Sequence, residues 1–148
     1  MPRKKNGTHN NFLPYVLNKV TDKLNSKFLP VLRSHNITLT HWRVLAFLSE
    51  SDGLGVSALA DYTVTDQSTL SRALQQMEKR KLLRRTTRST DTRFVEIHIT
   101  DVGHALFDEI LPVATKLREE VVANMGRKDT EQLLKLLQKL LLASGNEQ

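Results

Sequence analysis

Residues Arg84–Gly103 read RRTTRSTDTRFVEIHITDVG, with four arginines and five threonines, ending in the alternation Phe94, Val95, Glu96, Ile97, His98, Ile99. Alternation of period two places Val95, Ile97 and Ile99 on one face of a strand. KLLRRTT, just upstream, reads as a partner strand, and RSTDTR as a polar turn between the two. The result is a hairpin with an apolar base and a basic tip. Leu83, Val95, Ile97 and Ile99 can anchor it on a core. Arg88 and Arg93 then stand in solvent, where phosphates or a minor groove can take them. Asp91 suits a different role: its carboxylate can orient the Arg93 guanidinium across the turn.

The hairpin follows a pair of helices. Thr65 or Asp66 can cap a helix whose inward stripe is Leu70, Ala73, Leu74 and Met77, at spacings of three and four. Its other face carries Gln67, Ser68, Ser71, Arg72 and Gln75. YTVTD is a tight connection to a shorter helix after Val56, capped by Ser57, with Leu59 and Ala60 inward. A short helix, a tight turn and a second helix with a polar outer face make a helix-turn-helix. Its second helix enters the major groove, where Gln and Arg pair with adenine and guanine edges. Followed directly by the hairpin, the unit is a winged helix. The expected DNA-binding set is Ser57, Thr65, Gln67, Ser68, Thr69, Ser71, Arg72, Gln75, Arg84, Arg88, Asp91 and Arg93, with Arg85 beside Arg84 as a further phosphate contact.

Charge points the same way. Between Arg72 and Arg93 stand eight basic residues against two acids, which equals the net charge of +6 carried by the 148-residue chain. A local basic surface is the footprint of a nucleic-acid partner, although a solvated charged face has the same composition. No apolar run approaches the roughly 20 residues of a membrane span. The basic start MPRKKNGTHNN lacks an apolar segment after it, so no secretory signal is expected. Without cysteine there is neither disulfide nor thiolate chemistry, and a reducing bacterial cytoplasm is the expected setting.

The remaining segments are helical. Leu13, Leu17, Val20, Leu24, Phe28 and Val31 form a stripe from about residue 11 to 34, with Pro30 expected to kink or end it. Thr40 is the expected cap of a second helix running to about Ser49, with Leu39 and Val44 stapled across it. Thr100 can cap a fifth helix to about Asn124, bent at Pro112. Asp129 with Gln132 resembles a capping box for the last helix, TEQLLKLLQKLLLAS. That helix is leucine-dense over most of its circumference and needs cover on several sides.

DTRFVEIHITDVG resembles the wing signature of MarR-type regulators: Asp-x-Arg, alternating apolar residues, then Thr and Gly. SALADYTVTDQSTLSRALQQMEKRKLLRR resembles their helix-turn-helix, and ITLTHWRVLAFL their second helix. The order of elements matches from about Asn11 to Ala143. The resemblance implies a mainly α fold with a small β-hairpin wing: a winged helix-turn-helix over 38–100 flanked by dimerisation helices over 11–35 and 101–144. It implies a homodimer, pseudo-palindromic operator DNA as partner, and a small effector that relieves repression. One departure stands out. The family often has Gly where this chain has Lys81, and Gly suits a left-handed helix end that Lys adopts at some cost.

Other chemistries find less support. No two of the five histidines have zincin spacing, so no metal and no cofactor is expected. His98 is expected on the open face of its strand. No nucleophile–base set or phosphate-cradling loop stands out, and an enzyme is not expected. An effector site for an aromatic carboxylate can be drawn from Tyr15, Lys19, His41 and Trp42, although core packing accounts for His41 and Trp42 as well. The competing function is an architectural DNA binder of low specificity with no ligand.

Overall fold

A computed structural model describes residues 12–88 and 91–145, with backbone only for residue 88 and residues 91–94. Helix α1 (Leu13–Ser34) leads to α2 (Leu39–Glu50), a two-residue strand β1 (Leu54–Gly55), α3 (Val56–Thr63) and α4 (Gln67–Lys79). Strands β2 (Leu83–Arg88) and β3 (Asp91–Ile99) follow, then α5 (Asp101–Met125) and α6 (Arg127–Ser144). The three strands form one antiparallel sheet in the order β1-β3-β2. This is a winged helix-turn-helix with long flanking helices. The chain divides into two compact units, residues 1–111 and 112–148.

The core of the first unit is where the expected stripes meet. Leu70, Leu74 and Met77 of α4 pack with Val44, Leu45 and Leu48 of α2, Leu59 and Ala60 of α3, and Leu82, Leu83, Ile97 and Ile99 around the sheet. Pairing Leu83 with Ile99 and Arg85 with Ile97 puts these residues on one face, while Arg84 with His98 and Thr86 with Glu96 take the other. Strand β1 was not anticipated: SDGLG ends α2 but also pairs Leu54 with Ile97 and Gly55 with Glu96.

Several helix starts differ from expectation. Thr38 rather than Thr40 caps α2. Its hydroxyl accepts from the His41 N–H, and its own N–H donates to the His41 ring, an imidazole version of the capping box. A histidine three residues on can close the box because Nδ1 is an acceptor, like the Glu oxygen that usually does so. Gly55, not Ser57, precedes the first turn of α3, leaving Ser57 exposed inside the helix. Asp66 caps α4. At α6 the helix begins at Arg127 after Gly126 (φ 88°), so Asp129 sits in the first turn instead of capping it. There it still faces the positive end of the helix dipole. Helices α1 and α5 continue through Pro30 and Pro112.

The division between the two units falls inside α5. The first turns of α5 belong to the core: Leu106 and Phe107 pack against it and Ile110 is buried. Thr100 holds the start, accepting from the Gly103 N–H and donating to the Lys81 carbonyl. Lys81 itself is left-handed at φ 59°, the conformation that the family's glycine would take more easily.

In the second unit no described residue of α6 is buried, and Leu141 and Leu142 are 75% and 74% exposed. Much of the α1 stripe is exposed as well, including Leu13, Val20 and Leu24, while Phe28 and Leu32 are buried.

A Cβ added to Gly103 would lie 2.1 Å from the Leu82 carbonyl oxygen. Alanine normally favours a helix over glycine by about 1 kcal/mol. Here the sign should reverse: Gly103→Ala is expected to lose about 3 kcal/mol by forcing backbone apart. Gly55→Ala, with nothing within 4 Å of the added carbon, serves as the control in thermal melts. Equal melting temperatures for the two variants would contradict the packing.

Candidate nucleic-acid interface

The turn between α3 and α4 is built tightly. Val64 takes a left-handed conformation at φ 51°. The Thr63 carbonyl accepts from Arg43 Nη1 at 3.0 Å and from the Thr65 hydroxyl at 3.1 Å, and the Thr63 hydroxyl donates to the Leu59 carbonyl. Asp66 then accepts from the Ser68 hydroxyl at 2.6 Å and the Thr69 N–H at 2.9 Å. These two bonds, Ser68 first, hold its carboxyl well below the usual carboxylate range. The charge also complements the positive end of the α4 dipole.

Beyond the cap, Gln67, Ser68, Thr69, Arg72 and Gln75 are exposed, and Ser71 is half-buried. The expected recognition residues therefore lie together on the outer face of α4. Two carry qualifications. The Ser68 hydroxyl proton is engaged by Asp66, so only its oxygen remains to accept. Thr65 is likewise tied to the turn, which makes it a brace for the helix start. Arg43 and Asp66 set the angle of α4, and Arg43 lies on an element that sequence pattern assigned only to the core.

Strand alternation sorts the wing's arginines. Arg84 points to the face opposite the core and is exposed. Arg85 shares the core-side face with Ile97 and sets its Nε 3.1 Å from Glu78 at the end of α4. Expected as a phosphate contact, Arg85 instead lies against α4, because one step along a strand reverses the side chain's direction. The backbone register steps from Thr87↔Val95 to Arg88↔Asp91. The side chains of Arg88, Asp91 and Arg93 lie outside the described residues.

His98 does face away from Ile97 and Ile99, yet its face is covered. Its Nδ1 is 2.8 Å from Asp52 and its Nε2 3.0 Å from the Thr86 hydroxyl. Asp52 also accepts from the Ile99 N–H. Burial would raise the Asp52 carboxyl, but the His98 and Ile99 bonds outweigh it and hold it below its ordinary value. The loop after α2 is thus latched to the wing by groups 46 and 47 residues away from it in sequence.

The four effector residues are not gathered in one place. Lys19 Nζ lies 5.7 Å from the Tyr15 ring centroid near the start of α1. Trp42 packs edge-on to Phe28 and stacks on Phe107, with centroids at 5.3 and 5.1 Å. Phe28 is thirteen residues along α1 from Tyr15, roughly 20 Å of helix. Within one chain the Tyr15–Lys19 pair and the Trp42 cluster lie apart. His41 is buried, and its ring accepts from the Thr38 N–H in the α2 cap. Among the described residues no group of three His, Asp or Glu could hold a metal ion, and no helix is long and apolar enough to cross a membrane.

Known proteins carry the same architecture. A model of the MarR family matches residues 35–93. The regulator FarR of Neisseria gonorrhoeae is 29% identical over 119 residues, covering 80% of this chain and 82% of the relative. The homoprotocatechuate degradative operon repressor of Escherichia coli is 26% identical over 123 residues, with 83% of each chain covered. A crystal structure of a MarR family transcriptional regulator from Silicibacter pomeroyi superposes with a TM-score of 0.85 at 28% identity, covering 99% of both chains. Over residues 35–93 the chain is thus similar to the MarR family. The α3–α4 pair and sheet described above form a winged helix, and the chain is similar over nearly its whole length to a transcriptional regulator of that family.

Two histidines on either side of the α1–α2 turn give this chain a pH signature. Burial first, then Arg80, pushes the His41 imidazole below its ordinary 6.5, with a Gln76 hydrogen bond opposing. His35 goes the other way: its bond to the Val31 carbonyl raises it, burial opposes, and Glu109 at 3.3 Å raises it further. As pH falls through 6.5 the unfolded chain protonates His41's counterpart first, so stability is lost on the acid side. The His35 contribution is complete below 6.5 and is lost as pH rises through its folded value. His41→Asn should therefore flatten the acid limb of a plot of melting temperature against pH, and His35→Asn the alkaline limb. An acid limb that steepens in His41→Asn would contradict the neutral, capped ring.

Proposed function

We propose that this chain is a homodimeric repressor that reads a pseudo-palindromic operator through α4 and the wing, and that an aromatic acid effector releases it. The observation that carries the reading is the outer face of α4. Gln67, Arg72 and Gln75 stand exposed on a helix whose start is fixed by Asp66 and Arg43. Gln and Arg are the side chains that make bidentate pairs with adenine and guanine in the major groove. Arg84, and by family resemblance Arg88, Asp91 and Arg93, supply the wing contacts. Ser57 and Ser71 flank the recognition residues, while Thr65 and Thr69 support the helix start.

Dimerisation is supported by unspent apolar surface. Each leucine buried contributes on the order of 1.5–3 kcal/mol, and α6 leaves Leu133, Leu134, Leu136, Leu141 and Leu142 exposed. The exposed stripe of α1 needs cover of the same kind. A second copy supplies both and holds two recognition helices at a set spacing. The effector class is supported by a relative named for an operon that degrades homoprotocatechuate, an aromatic acid. In this chain the aromatic group Phe28, Trp42 and Phe107 is the surface that suits such a ring. The Tyr15–Lys19 pair belongs to the α1 end and is proposed only as a cation near the dimer contact.

Base reading and phosphate binding separate experimentally. Arg72→Ala should cost operator affinity about 1–3 kcal/mol and relax sequence preference, whereas Arg84→Ala should weaken all duplexes together and flatten the salt dependence. The measurement is a titration of duplexes selected from genomic fragments, with random duplex beside them at several salt concentrations. Equal losses on operator and random DNA for Arg72→Ala would favour the architectural reading. Footprints should show half-site centres about 10 base pairs, or a multiple, apart.

Removal of residues 129–148 should abolish the dimer and operator binding together. A soluble monomer with intact operator affinity, seen by sedimentation, would end the dimer argument.

A further inference from the structure

Arg80 is one of the eight basic residues in the cluster from Arg72 to Arg93, but it does not join the exposed face of α4. It is the residue on which α4 ends. Its guanidinium crosses to the end of α1, where Nη1 donates to the Asn36 carbonyl at 2.5 Å and Nη2 to the His35 carbonyl at 3.1 Å. Those carbonyls belong to the turn that stops α1. Asn36 is left-handed at φ 55°, its N–H bonds back to Arg33 and the Ile37 N–H to Leu32. A cation at this place also meets the negative end of the α1 dipole. The end of the recognition helix is thereby fastened by two hydrogen bonds to the turn between α1 and α2.

We propose that Arg80 is a positioning residue for operator binding: its planar fork transmits the placement of the α1 end to the recognition helix without touching DNA. The inference rests on the reading of α4 as the recognition helix. Two N–H groups on one rigid plane fix both the distance and the twist between two helix ends, which a single contact cannot. Energetic coupling of this kind is reciprocal, so whatever holds α4 on an operator also holds the α1 turn.

Lysine separates the positioning role from a phosphate contact, because it keeps the charge and loses the fork. Arg80→Lys and Arg80→Ala are both expected to lose operator affinity by about tenfold, while Arg80→Lys binds random duplex as wild type does. Thermal melts and dimer mass verify folding; if the alanine variant does not fold, Arg80→Gln takes its place with the same expectation. The second readout is amide exchange. Adding operator duplex to the wild-type dimer should slow exchange at Asn36 and Ile37, and in Arg80→Lys it should not. Wild-type operator affinity in Arg80→Lys, or no change in exchange at residues 36–37 in the wild type, overturns the proposal. A wild-type chain that prefers no duplex removes the DNA reading itself, and this inference with it.

Discussion

Residues 81–83 hold the winged helix together. As α4 ends, the Leu82 N–H closes on the Met77 carbonyl and Lys81 turns left-handed. The Leu82 carbonyl accepts from the Thr100 N–H, where β3 ends, and the Lys81 carbonyl accepts from the Thr100 hydroxyl. Gly103 sits against that same Leu82 carbonyl, so close that no side chain fits. Four elements therefore share one short backbone segment: α4, β2, β3 and α5. Its geometry sets both the angle of the wing and the direction in which α5 leaves. Lysine at position 81 keeps the turn at an energetic cost that Gly would avoid, and the bonds around it offset that cost.

Electrostatics in this chain divides between reading and bracing. A cluster of eight basic residues is a sound pointer to nucleic acid, but two of its members are engaged by other parts of the protein. Arg80 grips the α1 turn and Arg85 lies against Glu78. Arg72 and Arg84 keep exposed positions. Arg43, outside the cluster, braces the α3–α4 turn. A contiguous charge run thus overstates the DNA-facing charge, because a guanidinium that finds buried or bidentate acceptors is worth more there than in solvent. The Asp52–His98–Thr86 contact adds a further brace on the wing's outer face.

The flanking helices obey a different constraint. Apart from Leu32, their leucines are not buried in the single chain, and exposed apolar area of this extent marks an interface. In the proposed dimer the spacing of two recognition helices becomes a property of that interface. An effector near Trp42 would act by changing spacing rather than by competing with DNA.

Periodicity and local chemistry were enough to determine much of this protein. The stripe Leu70, Ala73, Leu74, Met77, the alternation Val95, Ile97, Ile99 and the cap at Thr100 each declare an element within a few residues, since burying one face imposes its period on the sequence. Together with the resemblance carried by DTRFVEIHITDVG, they led to the winged helix and to the outer face of α4. What they could not decide were contacts between residues far apart in the chain. Thr38 rather than Thr40 caps α2 because a histidine three residues on can close the box, a rare solution. Gly55 joins the sheet only because β3 passes beside it. Arg80 and Arg85 look like DNA contacts until α1 and Glu78 are brought next to them, and Tyr15 is separated from Trp42 by the length of α1. The carbonyls that hold Arg43 and Arg80 lie 20 and 45 residues away, so only the packed chain decides which polar groups remain for a partner.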